Sequence, residues 1–137
     1  MDWFLRALAG GRSGRLPDQL RAELAATDLL VLEEELLGTV TYRRYRSARE
    51  YTSWSREPAA GAIALAPNRL VVWANHMRHI DVPLAHPIWA TIEVRAERPG
   101  RVRFTYDAGA TNTAASGHVD VRLRTPQAER IVQLLSR

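Results

Sequence analysis

Three consecutive segments in the C-terminal half of the chain alternate between apolar and polar residues, and this alternation restricts the possible folds more than any other feature. The segments span residues 88–96, 101–107 and 118–124. A period of two residues is that of a β-strand with one buried and one solvated face, so the segments predict an antiparallel sheet. The residues predicted to face the core are Ile88, Ala90, Ile92, Val94, Ala96, Val102, Phe104, Tyr106, Val119, Val121 and Leu123.

A helix is predicted directly after the third segment. Thr125 and Pro126 are typical of a helix N-cap and of the first helical position. An apolar stripe follows, and its spacing of three and four residues is that of one helix face. The stripe consists of Ala128, Ile131, Val132 and Leu135. We expect this face to complete the core formed by the sheet.

Shorter strands are predicted upstream, where the apolar pattern is less regular. Residues 61–66 and 69–74 flank Pro67-Asn68, which indicates two strands joined by a tight turn. Residues 29–37 are apolar but interrupted by three glutamates, so their type stays open. Further strands are predicted at residues 39–46, 51–56 and 80–82, and a short helix is predicted to begin near Pro17 and to end near Asp28.

The predicted fold class is mainly β (α+β), an antiparallel β-barrel or bent sheet of about seven strands capped by a C-terminal α-helix. Residues 29–137 form this domain, and residues 1–28 form an N-terminal helical extension and linker. A first short helix is predicted from Trp3 to Ala9, which we expect to dock on the barrel or on another subunit. Because Asp2 and Arg6 fall within this region, it does not resemble a secretory signal, and we expect a cytoplasmic protein.

Composition and spacing argue against several kinds of chemistry. The chain has no cysteine, which excludes disulfides and thiolate nucleophiles, and its 19 basic residues are all arginine, which excludes a lysine-containing phosphate loop. No serine lies in a Gly-x-Ser-x-Gly motif. On an extended strand His79 and Asp81 would share a face from which His76 points away, so a zinc site is not expected. We expect no cofactor, no catalytic centre and no transmembrane segment.

The hairpin predicted at residues 61–72 carries a resemblance to a known family. Its sequence, Gly-Ala-Ile-Ala-Leu-Ala-Pro-Asn-Arg-Leu-Val-Val, resembles the Gly-x-Leu-x-Leu-Thr-x-x-Arg-Leu-Val hairpin of GRAM domains and of bacterial domains with a pleckstrin-homology-like (PH-like) fold. Ala66 stands where those domains usually have threonine. Residues 80–84 resemble the strand that follows. The resemblance covers residues 29–137 and implies a binding scaffold, on which many functions occur.

Charge is concentrated in two adjacent blocks. Residues 28–37 have a net charge of −4, and residues 38–56 have a net charge of +4. The candidate ligand-binding residues in the second block are Arg43, Arg44, Arg46 and Arg49. The resemblance implies a basic early hairpin that binds lipid phosphates, and arginine interleaved with tyrosine also suits single-stranded nucleic acid. In a third interpretation these arginines form a solvated face and pair with Glu33, Glu34 and Glu35.

The predicted function is therefore that of a non-catalytic PH-like binding or interaction domain, whose ligand is a protein partner or an anionic lipid headgroup. Peripheral attachment to a membrane is compatible with the second ligand. One alternative is a small-molecule-binding or enzymatic β-barrel, whose cavity uses Trp54, Trp73, His76 and Tyr106. The other alternative is a nucleic-acid-binding module that uses the arginine-rich hairpin.

Overall fold

Seven antiparallel strands form one sheet in the computed structural model of the chain, which describes residues 14–98, 100–110 and 113–136. The strands β1 to β7 comprise Val31–Arg46, Tyr51–Ala66, Arg69–Ala74, Met77–Pro83, Glu93–Arg98, Arg101–Asp107 and Ser116–Arg124. Their order in the sheet is β4-β3-β2-β1-β7-β6-β5. The sheet curls into a half-barrel, and the predicted mainly β class with a C-terminal helix is confirmed.

The concave side of the sheet holds the main core, and the C-terminal helix α2 (Ala128–Leu134) packs against it. The predicted apolar stripe is confirmed, because Ala128, Ile131 and Leu135 are all buried there. The helix begins later than predicted, since its N-cap is Gln127 and not Thr125. Thr125 Oγ1 still contributes to the turn before the helix by accepting a hydrogen bond of 3.0 Å from the backbone N–H of Gln127. The helix is thus attached to the end of β7 by a short turn, and its apolar face packs in the core.

The convex side of the sheet is covered near one end by the helix α1 (Asp18–Ala25). Three leucines, Leu16, Leu20 and Leu24, pack on Ala62, Ala64 and Val71 of β2 and β3. The small alanine side chains allow the helix to approach the sheet closely. None of the helices in the described part of the chain is long and apolar enough to cross a membrane.

The strand β1 includes most of residues 29–37, for which the sequence did not distinguish helix from strand, and it contains all three glutamates. The pairing with β2 shifts between Glu33 and Leu36, and Glu35 has a φ of 57°, which marks an irregularity in the strand. Glu34 accepts hydrogen bonds from the backbone N–H of Leu16 (2.9 Å) and from the Arg21 side chain (2.7 Å). The strand therefore tolerates consecutive glutamates because Glu34 and Glu35 accept hydrogen bonds from the N-terminal segment and Glu33 accepts one from Thr125.

One predicted strand begins too early. Residues Pro87–Thr91 form a 3₁₀ helix, so that β5 starts only at Glu93. His86 Nδ1 accepts a hydrogen bond from the backbone N–H of Ile88 (3.1 Å) and starts this turn, in which Trp89 is buried and Ala90 is exposed. Ala96, predicted to face the core, is exposed as well. The helix predicted from Trp3 to Ala9 lies outside the described residues.

Candidate functional site

The hairpin of β1 and β2 extends well past its neighbour on one side. Both strands have 16 residues, whereas β3 pairs with β2 only from Gly61 to Ala66. Asn75, in the β3–β4 turn, continues the contact by accepting a hydrogen bond from Ala60 N–H (3.1 Å) and donating one to the Pro58 carbonyl (3.0 Å). Within the described residues, β2 is therefore an edge strand from Tyr51 to Glu57.

The four predicted binding arginines lie in two environments: one of them contacts a carboxylate, and the other three do not. The guanidinium of Arg43 lies 3.2 Å from Asp120 Oδ2 on the convex face. Arg44, Arg46 and Arg49 are exposed, and no carboxylate of the described residues lies within ion-pair distance of them. We call residues 44–56 the hairpin tip. Arg44, Arg46 and Arg49 are its arginines available to an external anion, whereas Arg56 donates a hydrogen bond of 3.1 Å to Thr41 Oγ1.

The glutamates of the acidic block do not neutralise the hairpin tip. Glu33 accepts a hydrogen bond from Thr125 Oγ1 (3.0 Å), Glu34 binds Arg21 (2.7 Å), and Glu35 accepts a bond from the backbone N–H of Gly14 (3.3 Å). These contacts lie at the opposite end of β1, roughly 30 Å from the tip at about 3.3 Å per residue. The interpretation that pairs the arginines with Glu33, Glu34 and Glu35 is therefore wrong.

A bulge in β1 shapes the hairpin tip. The register of β1 against β7 shifts between Arg43 and Arg46, and Arg44 has a φ of 51°. Gly117 of β7 lies opposite with a φ of 107°, and a Cβ atom placed on it would come 2.4 Å from the Arg44 carbonyl oxygen. Both Tyr42 and Tyr45 pack against the core, although strict alternation would place them on opposite faces.

Two exposed aromatic side chains lie among the arginines of the tip. Tyr51 and Trp54 are 59% and 57% exposed. The Arg46 guanidinium lies over the Tyr51 ring at 5.0 Å from its centroid, and that of Arg56 lies over Trp54 at 5.5 Å. Such stacking holds cation and ring together at the surface, so the tip presents apolar and positive groups side by side.

A network around Asp120 occupies the middle of the convex face. This buried carboxylate accepts hydrogen bonds from Thr105 Oγ1 (2.6 Å) and from Arg103 (3.1 Å), besides its contact with Arg43. Burial by itself would raise the pKa of Asp120, but the Thr105 hydroxyl and the two arginines outweigh it and lower that pKa below its usual range. Alternation predicts these side chains on the outer face, but their mutual contacts depend on strand register.

A first cavity of about 270 Å³ lies between β4, the 3₁₀ helix and the end of β6. His79 Nδ1 and the Tyr106 hydroxyl form a hydrogen bond of 2.7 Å in its wall. Burial lowers the pKa of His79 to about 4, opposed only by the Ala74 backbone carbonyl, and burial also raises the pKa of Tyr106. Both groups are therefore neutral near pH 7, and Nε2 of His79 makes no hydrogen bond of normal geometry within the described chain.

The cavity residues predicted from the sequence do not come together. Tyr106 lines the first cavity, but Trp54 is exposed on the hairpin tip and His76 is exposed in the β3–β4 turn. Trp73 packs against the α1 cluster on the convex side. His79 takes the place expected for His76, because His76 has a φ of 63° in the turn and the strand begins after it. No group of metal-ligating side chains occurs among the described residues.

A second cavity of about 440 Å³ lies between the hairpin tip and the β3–β4 turn. The rings of Tyr42 and Tyr45 have centroids 5.0 Å apart and planes inclined by 60°. The residues that line this cavity are Tyr42, Tyr45, Glu50, Thr52, Ser55, Glu57, Ala74, Asn75 and Met77. Sequence reasoning missed this cavity, because it depends on the bulge that turns Tyr45 inward.

The sequence was compared with protein-family models and with curated proteins, and neither comparison finds a match.

Proposed function

We propose that this chain is a non-catalytic PH-like binding domain that attaches to anionic phospholipid surfaces through its hairpin tip. The observation that carries the proposal is the group Arg44, Arg46 and Arg49, which lacks carboxylate partners in the described chain and lies beside exposed Tyr51 and Trp54. An arginine near an anionic membrane surface contributes about 1 kcal/mol of binding free energy. Tyrosine and tryptophan favour the interface between headgroups and hydrocarbon.

The PH-like assignment is supported by the architecture around the tip. Seven antiparallel strands in one curled sheet and a C-terminal helix against its concave side are the layout that the resemblance implies. The most basic segment lies on the first hairpin, where lipid-binding domains of this kind carry their basic residues. Fold and position of charge thus agree, although each alone is compatible with many functions.

A lipid surface fits the tip better than a nucleic acid does. A bound single strand follows a continuous basic surface with stacking platforms. Along the convex face, which would have to supply that surface, Arg43 and Arg103 bind Asp120, and Arg122 binds Glu97 at 3.0 Å. Arg44, Arg46 and Arg49, which have no carboxylate partners in the described chain, lie together at the protruding end of the hairpin, and this position suits contact with a plane.

Vesicle binding tests the proposal. We expect the protein to sediment with phosphatidylcholine vesicles that contain phosphatidylglycerol and not with pure phosphatidylcholine, and we expect binding to weaken as salt rises. Replacing Arg44, Arg46 and Arg49 together by glutamine removes about 3 kcal/mol of attraction, which corresponds to a loss of roughly 100-fold in affinity.

The control for this test changes charge equally at another place. Arg95, Arg98 and Arg130 are exposed and lie on β5 and α2, away from the tip. A glutamine triple variant at these positions should bind vesicles like the wild type. Equal loss in both variants, or no binding by the wild type at low salt, would refute attachment through the tip. Salt-dependent binding to single-stranded oligonucleotides alone would assign the tip to nucleic acid.

Small-molecule binding is a second candidate, favoured by the first cavity. Its wall combines Ile80, Val82 and Ile92 with the His79–Tyr106 pair, and its volume of about 270 Å³ is near the lower end for ligand pockets. A thermal-shift screen with small neutral ligands tests it. A ligand that raises the melting temperature of the wild type but not of a Tyr106→Phe variant would support this function.

A further inference from the structure

The second cavity has a wall of two aromatic rings. Tyr42 and Tyr45 meet edge to face, with ring centroids 5.0 Å apart. The backbone bulge at Arg44 holds this arrangement, since it brings both rings to the core side of β1. The π-face of a tyrosine attracts a cation through its quadrupole. Two inclined tyrosine rings in one cavity wall are therefore a favourable environment for a cation.

The charged residues that line this cavity are all acidic. Glu50 and Glu57 line it, and no arginine or histidine does, in a chain with 19 arginines and a net charge of +4. Glu57 is positioned by Asn75, whose Nδ2 donates a hydrogen bond of 3.2 Å to its Oε1. Asn75 is itself fixed by its bonds to Ala60 and Pro58 of β2. The carboxylate of Glu57 is thus held in place before any ligand arrives.

We propose that this second cavity binds a primary ammonium group. Such a group has three N–H donors and needs several acceptors around it. Glu50, Glu57 and the hydroxyls of Thr52 and Ser55 supply them, while the tyrosine rings stabilise the charge. A quaternary ammonium has no N–H donors and would leave those acceptors without hydrogen bonds. The volume of about 440 Å³ leaves room for the carbon chain attached to the nitrogen.

The ammonium group has two chemical sources, a phospholipid headgroup such as phosphatidylethanolamine or a free alkylamine. The cavity adjoins the hairpin tip and shares Glu50, Thr52 and Ser55 with it, so a headgroup at the tip can reach the tyrosines. The lipid source rests on the proposed function, whereas binding of a free amine does not. The two are therefore tested separately.

The first experiment titrates the whole protein with n-propylammonium and follows the tyrosine ring signals by NMR. We expect saturable shifts of Tyr42 and Tyr45, and a much weaker response to tetramethylammonium. The double variant Glu50→Gln/Glu57→Gln should bind the amine about 10-fold more weakly or worse, because hydrogen bonds to charged groups are lost. The matched control, Glu93→Gln/Glu129→Gln, removes two exposed carboxylates outside the cavity and should respond like the wild type.

The second experiment keeps the fraction of phosphatidylglycerol in vesicles constant and replaces phosphatidylcholine by phosphatidylethanolamine. Stronger binding by the wild type, absent in the Glu50/Glu57 variant, assigns the site to the headgroup, and an NMR response without this gain assigns it to a free amine. The single variant Glu50→Gln, at an exposed position, repeats the test should the double variant fail to fold. The absence of a saturable response to n-propylammonium, or an equal response of the double variant, would overturn the inference. Failure of the arginine variant to lose phosphatidylglycerol binding would instead overturn the proposed function.

Discussion

The hairpin tip and the body of the half-barrel use the same residue type in opposite ways. Arg43, in the body, approaches Asp120 to 3.2 Å, whereas the adjacent Arg44 is exposed and has no carboxylate partner among the described residues. The bulge between β1 and β7 at this point separates the two environments. Asp120 of β7 lies opposite Thr41 and reaches Arg43 diagonally on the same face, so a carboxylate on the neighbouring strand decides the role of an arginine here more than the charge of the arginine's own segment does.

The largest effect is expected in the apolar part of the body. Leu135 follows helix α2 and is buried in the core, whereas its neighbour Leu134 is 42% exposed. Replacing Leu135 by alanine leaves a cavity and should lower the free energy of unfolding by roughly 2–5 kcal/mol. Urea denaturation measures this loss. Leu134→Ala is the control, and a similar loss in both variants would mean that the helix does not complete the core.

The second largest effect on stability is expected in the polar part of the body, around Asp120. Asp120→Ala removes the acceptor of Thr105 and the partner of two arginines, and we expect a loss of about 3 kcal/mol in the free energy of unfolding. Asp120→Asn retains one acceptor oxygen for Thr105 and should lose less. Thermal unfolding of both variants measures the difference. If Asp120→Ala were as stable as the wild type, the Asp120 network would contribute no more to the free energy of unfolding than the tip arginines that lack carboxylate partners.

A third difference depends on pH. Burial lowers the pKa of His79 to about 4, while the unfolded imidazole keeps a value of about 6.5. Below pH 6.5 the unfolded state takes up a proton that the folded state does not accept until near pH 4. The free energy of unfolding should therefore fall by about 2 kcal/mol between about pH 6.5 and about pH 5. In His79→Gln this part of the pH dependence should disappear, and urea denaturation at both pH values would show whether it does.

The sequence predicted the parts of the body in which local pattern and final environment coincide. Strands β6 and β7 alternate as expected because each lies between two strands and covers the core on one face. The alternation at Ile88 and Ala90 was misleading, since His86 and Pro87 begin a 3₁₀ turn there.

Contacts between segments that are distant in the sequence could not be predicted from the local pattern of apolar and polar residues. The bond between Glu33 and Thr125 joins β1 to the start of α2, and the bond between His79 and Tyr106 joins strands that are not neighbours in the sheet. Both depend on register and on the curl of the sheet, which no single segment encodes. The basic hairpin was found from charge alone, but its division into Arg43 and the three tip arginines required the position of Asp120.

The smallest effect on stability is expected at the tip itself, and it tests the comparison most directly. Arg43→Gln removes a half-exposed partner of a buried carboxylate and should lower the free energy of unfolding by about 1 kcal/mol. The triple replacement of Arg44, Arg46 and Arg49 by glutamine should change it by no more than about 0.5 kcal/mol, because exposed charges without carboxylate partners contribute little. One substitution is thus expected to cost more stability than three in the same segment, while only the three reduce vesicle binding. Urea denaturation of both variants measures the loss of stability, and sedimentation with phosphatidylglycerol vesicles measures the loss of binding. A smaller loss of stability in Arg43→Gln than in the triple variant, or a larger loss of vesicle binding, would place Arg43 at the tip and remove the distinction between tip and body.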